Sequence, residues 1–379
     1  MGQRVNKKLQ SRHFTQGMSL PEILAAVLIG LIGMIVIMQV YATSEERKRT
    51  TTGTSDAQIN GNIAMFTLQR TIRSAGFGMV SADNNMLGCT TLAYNSNRPA
   101  PDFTFVMAPV VITPGDGLGH GELNTDTIKV IYGSSPNVVE GKDFVSSAAS
   151  GADFPLKNAA GVLAGDLVVA SEPGLNCSLA ELTGFLPAAI NTVQHVSGTP
   201  YSYIDGAGNT IGPAVAAYNK GGGSGVNYSA NALLFSLGRS PTVVTYQIGN
   251  DKLQTKTLIP YVPAQDSDGD GTSDADIGDG IVQLKALYGK DTDGDGVVDT
   301  WNNTLPANAT EWMQVRAVRV ALLARSAKFE KTAVTPAAPT WNSGTAFAMT
   351  NLADGTDWHY YRYRVYEAVI PLRNMIWSN

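Results

Sequence analysis

Charge, histidine and cysteine are scarce in this chain, and each scarcity removes a class of function. Charged residues make up 16% of its 379 residues, well below the roughly 25% of an ordinary soluble protein. With 27 basic and 32 acidic residues the formal net charge is −5, which argues against a nucleic-acid binder whose footprint covers the whole molecule. The four histidines, His13, His120, His195 and His359, share no metal-ligand spacing. Neither a G-x-x-x-x-G-K-[ST] phosphate loop nor a G-x-S-x-G nucleophile elbow occurs, so no enzyme activity is expected. Gly115, Gly117, Gly119 and Gly121 alternate without a helix start behind them and read as a turn. What is abundant is apolar residue, 44%, together with 39 glycines and 18 prolines. Those numbers exclude overall disorder and point to a loop-rich β body with many turns rather than a helical bundle.

The few charges are unevenly placed. Arg4, Lys7, Lys8 and Arg12 put +4 on the first seventeen residues. Residues 266–299 hold ten aspartates against Lys285 and Lys290, a net of −8, so the rest of the chain carries only −1. A basic end and an internal anionic stretch each call for their own explanation.

Behind the basic end, Ile23 to Met38 (ILAAVLIGLIGMIVIM) is apolar or glycine throughout, and uncharged residues continue to Thr43. As a helix this stretch reaches about 30 Å, one bilayer crossing. The basic flank is expected to stay cytoplasmic, with everything after residue 43 on the far side, the periplasm of a Gram-negative cell. Glu22 sits on the threshold of the apolar run, where an unpaired carboxylate is costly. A secretory signal cut after Val40-Tyr41-Ala42 competes with the anchor reading. Beyond the charged cluster Glu45 to Arg49, Thr50 to Thr54 read as a helix break. Ser55 or Asp56 is expected to cap a second amphipathic segment that buries Ile59, Ile63, Phe66 and Ile72.

Gly17-Met18-Ser19-Leu20-Pro21-Glu22 resembles the processing site of type IV prepilins. The resemblance implies cleavage after Gly17 by a prepilin peptidase and N-methylation of Met18. It also implies a Glu22 carboxylate that neutralises a neighbouring subunit's N-terminus during assembly. Met18 replaces the usual phenylalanine and the leader is long, which points to a minor pilin. Asn62 to Gly78, with Arg70 and Arg73 before Ala75-Gly76-Phe77-Gly78, is similar to the same stretch of PilW-type minor pilins. Val315 to Ser326 and the ending Arg364 to Asn374 resemble that family too, leaving roughly 100 to 260 unmatched.

Across that middle, Thr127 to Tyr132, Leu167 to Ala170 and Val243 to Ile248 read as strands, and Asp205 to Ser229, with its Gly221 to Gly225 run, reads as a flexible loop. Cys89 and Cys177, the only cysteines, are expected to form a disulfide in an oxidising compartment, closing a loop worth about 2 to 4 kcal/mol. The alternative is two buried thiols. Near the C-terminus, Met313 to Ala324 and Tyr361 to Pro371 alternate arginine with apolar or aromatic residues, the pattern of half-buried antiparallel strands. The aromatic cluster of Trp358, Tyr360, Tyr361, Tyr363 and Tyr366 reads as strand packing.

The anionic stretch repeats one device, D-x-D-G-D-G-x-x-D. Its first copy is Asp266, Asp268, Asp270, Thr272 and Asp274, and its second, 25 residues on, is Asp291, Asp293, Asp295, Val297 and Asp299. Carboxylates at positions 1, 3 and 5 converge where glycine at position 6 turns the chain, position 7 offers its carbonyl and position 9 a further acid. Such an oxygen cage suits Ca²⁺, so two calcium sites are expected. At position 12, Ile277 and Asn302 stand where an EF-hand has its bidentate glutamate. That puts affinity in the range of extracellular modules, roughly 10⁻⁴ to 10⁻³ M, unless Asp276 or Asp279 substitutes in the first loop. Ile281 to Gly289 between the copies is expected to be a strand that delivers both loops to one edge.

The expected fold is therefore α+β and pilin-like, a long N-terminal membrane helix packed on an antiparallel β head with a large β insertion. Its parts are a leader (1–17), a transmembrane helix (18–43), an amphipathic continuation (44–80), a β-rich head and insertion (81–260), the aspartate loops (261–303) and C-terminal strands (304–379). The implied function is that of a minor pilin in the initiation and tip of a type IV pilus. Its implied partners are other minor and major pilins, prepilin peptidase, the inner-membrane assembly platform and a tip adhesin. A type II secretion pseudopilin and a secreted calcium-dependent binding protein are the alternatives.

Overall fold

A computed structural model describes residues 17–79, 86–115, 124–135, 140–205, 207–349 and 357–376. The expected leader, apart from Gly17, lies outside these residues, as do His13, His120, Gly117, Gly119 and Gly121. The chain divides into two units, Met1–Gly53 and Thr54–Asn379. One helix, Leu20–Ser74, begins in the first and ends in the second.

In the first unit the helix start carries the glutamate half of a capping box. The Ser19 backbone N–H and hydroxyl both donate to Glu22 Oε2, at 2.9 and 3.0 Å, satisfying a donor that the helix cannot. Pro21 falls in the first turn, where its missing N–H costs nothing. Every side chain from 17 to 44 is exposed. Leu20–Glu45 is long and apolar enough to cross a membrane, about 39 Å as a helix, which is consistent with a membrane anchor.

The expected break at Thr50 to Thr54 does not occur, because the helix continues through it. One glycine costs about 1 kcal/mol relative to alanine, and extending a formed helix is far easier than starting one. The buried face also differs from expectation. In the second unit Ala64, Met65, Leu68, Ile72 and Ala75 are buried, whereas Ile59, Ile63 and Phe66 are 54%, 50% and 68% exposed. At Gly61 the approach leaves no room for a side chain: a Cβ there would collide with the Tyr366 ring, whose hydroxyl donates to the Gln58 carbonyl at 3.1 Å. At the helix end, the Asn374 amide donates to the Ala75 and Ser74 carbonyls at 2.9 and 3.3 Å. The chain then turns at Gly76 and Gly78, both at positive φ.

The body of the second unit is mostly antiparallel β. A four-stranded sheet runs in the order Thr300–Asn302, Ile281–Lys290, Val315–Arg325, Tyr363–Pro371. Its central strand Val315–Arg325 is buried on both faces rather than half-buried. Val318, Val320 and Leu322 join the core with the helix, and Ala321 and Leu323 pack with Trp341, Phe347 and Met349 on the other side. A five-stranded sheet runs Ser273–Asp279, Lys252–Ile259, Thr242–Gly249, Thr127–Tyr132, Val110–Thr113. A six-stranded sheet runs Asp102–Val106, Thr90–Tyr94, Cys177–Glu181, Leu167–Ser171, Leu233–Gly238, Lys142–Asp143, with one parallel pair. Its alternate residues divide between two cores: Leu167, Val169 and Phe235 face the main core, and Val168, Ala170 and Leu234 face a second that contains Phe144, Phe154 and Tyr228. Cys89 and Cys177 are joined across this region with Cα atoms 5.9 Å apart.

Asp205 to Ser229 is not the free loop expected from its glycines. Thr210–Val215 pairs with Pro200–Ile204 as a hairpin, and Ala216, Asn219 and Tyr228 are buried.

Candidate cation-binding loops

The two aspartate repeats fold alike, residue for residue. At position 1, Asp266 accepts from the N–H groups of Gly269 and Gly271 at 2.7 and 3.0 Å, and Asp291 from those of Gly294 and Gly296 at 2.7 and 3.1 Å. At position 3, Asp268 and Asp293 each accept from the N–H two residues on, both at 3.2 Å. Position 5 repeats this step, with Asp270 accepting from Thr272 at 2.8 Å and Asp295 from Val297 at 2.7 Å. At position 9, Asp274 and Asp299 turn back onto the N–H of Ser267 and Thr292 at 3.1 and 2.7 Å. The glycines at positions 4 and 6 of both loops all have positive φ, the region L side chains avoid. Local sequence alone thus builds one frame twice.

The loops gather different carboxylates. In the first, oxygens of Asp266, Asp268 and Asp274 lie within 4.8 Å of one another; in the second, those of Asp291, Asp293 and Asp295 do. Asp270 is directed to Thr272 and Lys256 instead, and Asp299 to Thr292. Asp276 and Asp279 do not complete the first loop, because Lys252 holds both, at 2.7 and 3.3 Å.

The surroundings differ more. Lys256 on strand Lys252–Ile259 pairs in register with Asp274. Its ammonium lies 2.8, 2.7 and 3.2 Å from Asp268, Asp270 and Asp274. Partial burial works against this charge, but the three carboxylates outweigh it and push the lysine pKa upward. The same contact, with Thr272, holds Asp270 below the ordinary aspartate value despite burial. Arg98 adds a second cation, donating to the Gly271 carbonyl at 2.7 Å while its guanidinium lies 4.3 Å from the Phe103 ring centre. Asp266 is likewise held low: burial opposes its charge, and the Tyr261 hydroxyl and two glycine N–H groups favour it.

Among the described residues the second loop has one cation. Arg316 Nε lies 3.3 Å from the fully buried Asp291 side chain. Lys290 turns away to the Thr304 carbonyl. Among the described residues no ammonium or guanidinium pairs with Asp293 or Asp295. Three converging carboxylates with one arginine behind them form an oxygen-rich, under-neutralised cage, the donor set a hard divalent cation prefers.

Spacing found the carboxylates and missed Lys256, Arg98, Tyr261 and Arg316. A signal for one was present: Lys252, Gln254 and Lys256 alternate on one strand face opposite Asp279, Asp276 and Asp274, a cross-strand charge ladder. The loops also do not share one sheet edge. Gly280, at φ 72°, passes the chain from the five-stranded sheet to the four-stranded one, leaving one loop before Ser273–Asp279 and the other after Ile281–Lys290.

At the N-terminus, Gly17 and Met18 precede the helix and are exposed, and Glu22 is engaged with Ser19. No curated protein and no solved structure matches the chain. Residues 245–374, which span the second half of the five-stranded sheet, both aspartate loops and the four-stranded sheet, match the family described as PilW, Type IV Pilus-assembly protein W. That match covers 130 of the 379 residues and supports a PilW-family assignment.

Proposed function

We propose that the protein is a minor pilin that takes part in the initiation, assembly and tip structure of a type IV pilus. The observation that carries this reading is one of connectivity. The matched C-terminal strands pack, through Tyr366 over Gly61 and Asn374 on the last helical carbonyls, on the same helix that starts behind Gly17-Met18-Ser19-Leu20-Pro21-Glu22. Prepilin peptidase would cut after Gly17, and Met18 would be methylated. The helix would hold the subunit in the inner membrane, basic end in the cytoplasm and head in the periplasm, until assembly. Glu22 would then exchange its Ser19 contact for a neighbouring subunit's N-terminal ammonium. Partners on this reading are other minor and major pilins, the assembly platform and a tip adhesin; the role is structural rather than enzymatic.

Calcium belongs to the same reading, as a stabiliser of the head. The second loop is the stronger site, with Asp291, Asp293, Asp295 and the Val297 carbonyl as donors. In the first, Asp266, Asp268 and Asp274 supply the acids and Lys256 competes with the metal.

Sequencing the mature N-terminus tests the central claim. N-methylated Met18 is the expected result, and a chain beginning at Thr43 overturns it. Recovery of the protein with sheared surface fibres supports the pilus, whereas retention in the envelope of piliated cells supports the pseudopilin alternative.

A further inference from the structure

A cleft outside the matched segment opens on the six-stranded sheet, enclosing about 60 Å³. It is lined by residues of strands Thr90–Tyr94 and Cys177–Glu181, by Phe154 and His195, and by Tyr218, Asn219 and Lys220. This lining is held in place. The buried Glu181 carboxylate accepts from the N–H groups of Ala217 and Tyr218 at 2.8 and 3.1 Å, and also from the Tyr201 hydroxyl. Its backbone exchanges hydrogen bonds with the Asn219 side chain in both directions, at 2.8 and 2.7 Å. The glycine run that forms the rim is also tied down. Gly225 N–H donates to Ser150 Oγ at 2.8 Å, and a Cβ on Gly223 would strike the Gly151 backbone. Such anchoring lowers the entropy lost on binding.

The chemistry facing the cleft is polar yet close to neutral. Lys220 Nζ lies 2.8 and 2.9 Å from the two oxygens of Asp102, so donors and acceptors stand side by side with no net charge. His195 stacks on Phe154 with ring centres 4.2 Å apart and donates from Nε2 to the Ala152 carbonyl. Its burial pulls the imidazole pKa below the ordinary value, which keeps the ring uncharged at neutral pH. An anion would meet Asp102 and a cation Lys220, so a charged ligand gains little. A ligand with adjacent hydroxyls and an apolar ring face can use both halves of the ion pair and pack on the His195 ring, which Phe154 supports from within the core. At about 60 Å³ the cleft has room for only a few waters, which limits a ligand to one small unit.

We propose that this cleft binds a single neutral pyranose unit of a glycan. The inference does not depend on the pilus reading, since none of these residues lies in the matched segment.

The test is saturation-transfer NMR on the full chain, in a detergent without a sugar headgroup, against millimolar glucose, galactose, mannose, fucose and N-acetylglucosamine. Transfer to ring protons of at least one sugar is expected, roughly tenfold weaker in the Asp102→Asn, Lys220→Met double variant. Ser224→Trp, placed on the rim, abolishes it by filling the mouth while leaving the melting temperature unchanged. Failure of every sugar, transfer to acetate or glycine in their place, or binding that survives both variants overturns the proposal.

Discussion

Residues 266–274 and 291–299 share a sequence pattern and a hydrogen-bond frame, yet they present different electrostatic objects. The first is a turn whose carboxylates already surround an ammonium, that of Lys256, with Arg98 on its carbonyls. Among the described residues, the second is a cage backed by Arg316 alone. The difference teaches that ligand spacing specifies where carboxylates point, whereas the neighbouring strand specifies what neutralises them. Two copies of one motif in one chain therefore need not bind alike.

Removing the position-1 acid separates the loops most sharply. Asp291 is fully buried and holds two N–H groups and Arg316, so Asp291→Ala leaves two loop N–H groups without their acceptor and Arg316 with only the Met375 carbonyl, and costs about 3 kcal/mol. Asp266→Ala, at a half-exposed site with Arg98 still held by carbonyls, costs clearly less. Urea unfolding of the full chain in detergent compares them, and equal losses would erase the distinction. Calcium response comes next. Calcium at ten times its Kd stabilises by about 1.4 kcal/mol, seen as a rise in melting temperature. Asp293→Ala with Asp295→Ala removes most of that rise, and Asp268→Ala with Asp270→Ala leaves most of it. The opposite ranking would place the strong site in the first loop.

How much of this was legible in the sequence follows from the range of each interaction. The strand Thr127–Tyr132 shows in its β-branched and aromatic run, and the frame of the aspartate loops shows in the D-x-D-G-D-G spacing, because both depend on residues a few positions apart. The helix face did not show. Ile59, Ile63 and Phe66 have helical spacing and greater hydrophobicity than Gly61 and Ala64, but the face packed on the sheet is the one that carries Ala64, Leu68 and Ile72, where Gly61 leaves room for the Tyr366 ring. Nor did the cations: Arg98 is 173 residues from Gly271 and meets it only after folding. The anchoring of the glycan cleft by Glu181 was hidden for the same reason, since a glycine run looks mobile until its partners at Ser150 and Gly151 are in place.

The smallest effects probe Lys256 directly. Lys256→Met removes the built-in cation, so the calcium-free protein loses on the order of 1 kcal/mol and the first loop gains a calcium response. The pH dependence carries a definite sign. Asp270 titrates below the ordinary 3.8 in the folded state, so the unfolded chain takes up its proton first as acid is added. The stabilisation is full above 3.8 and is lost as pH falls through the lowered folded value. Lys256, shifted upward from 10.5, keeps its contribution up to that pH and loses it only as pH rises further. The calcium-free wild-type chain therefore steepens its loss of melting temperature below pH 3.8, and Lys256→Met follows a flatter curve there. Parallel curves would mean that the ammonium merely fills space, and the contrast between the loops would then rest on Arg316 and Arg98 alone.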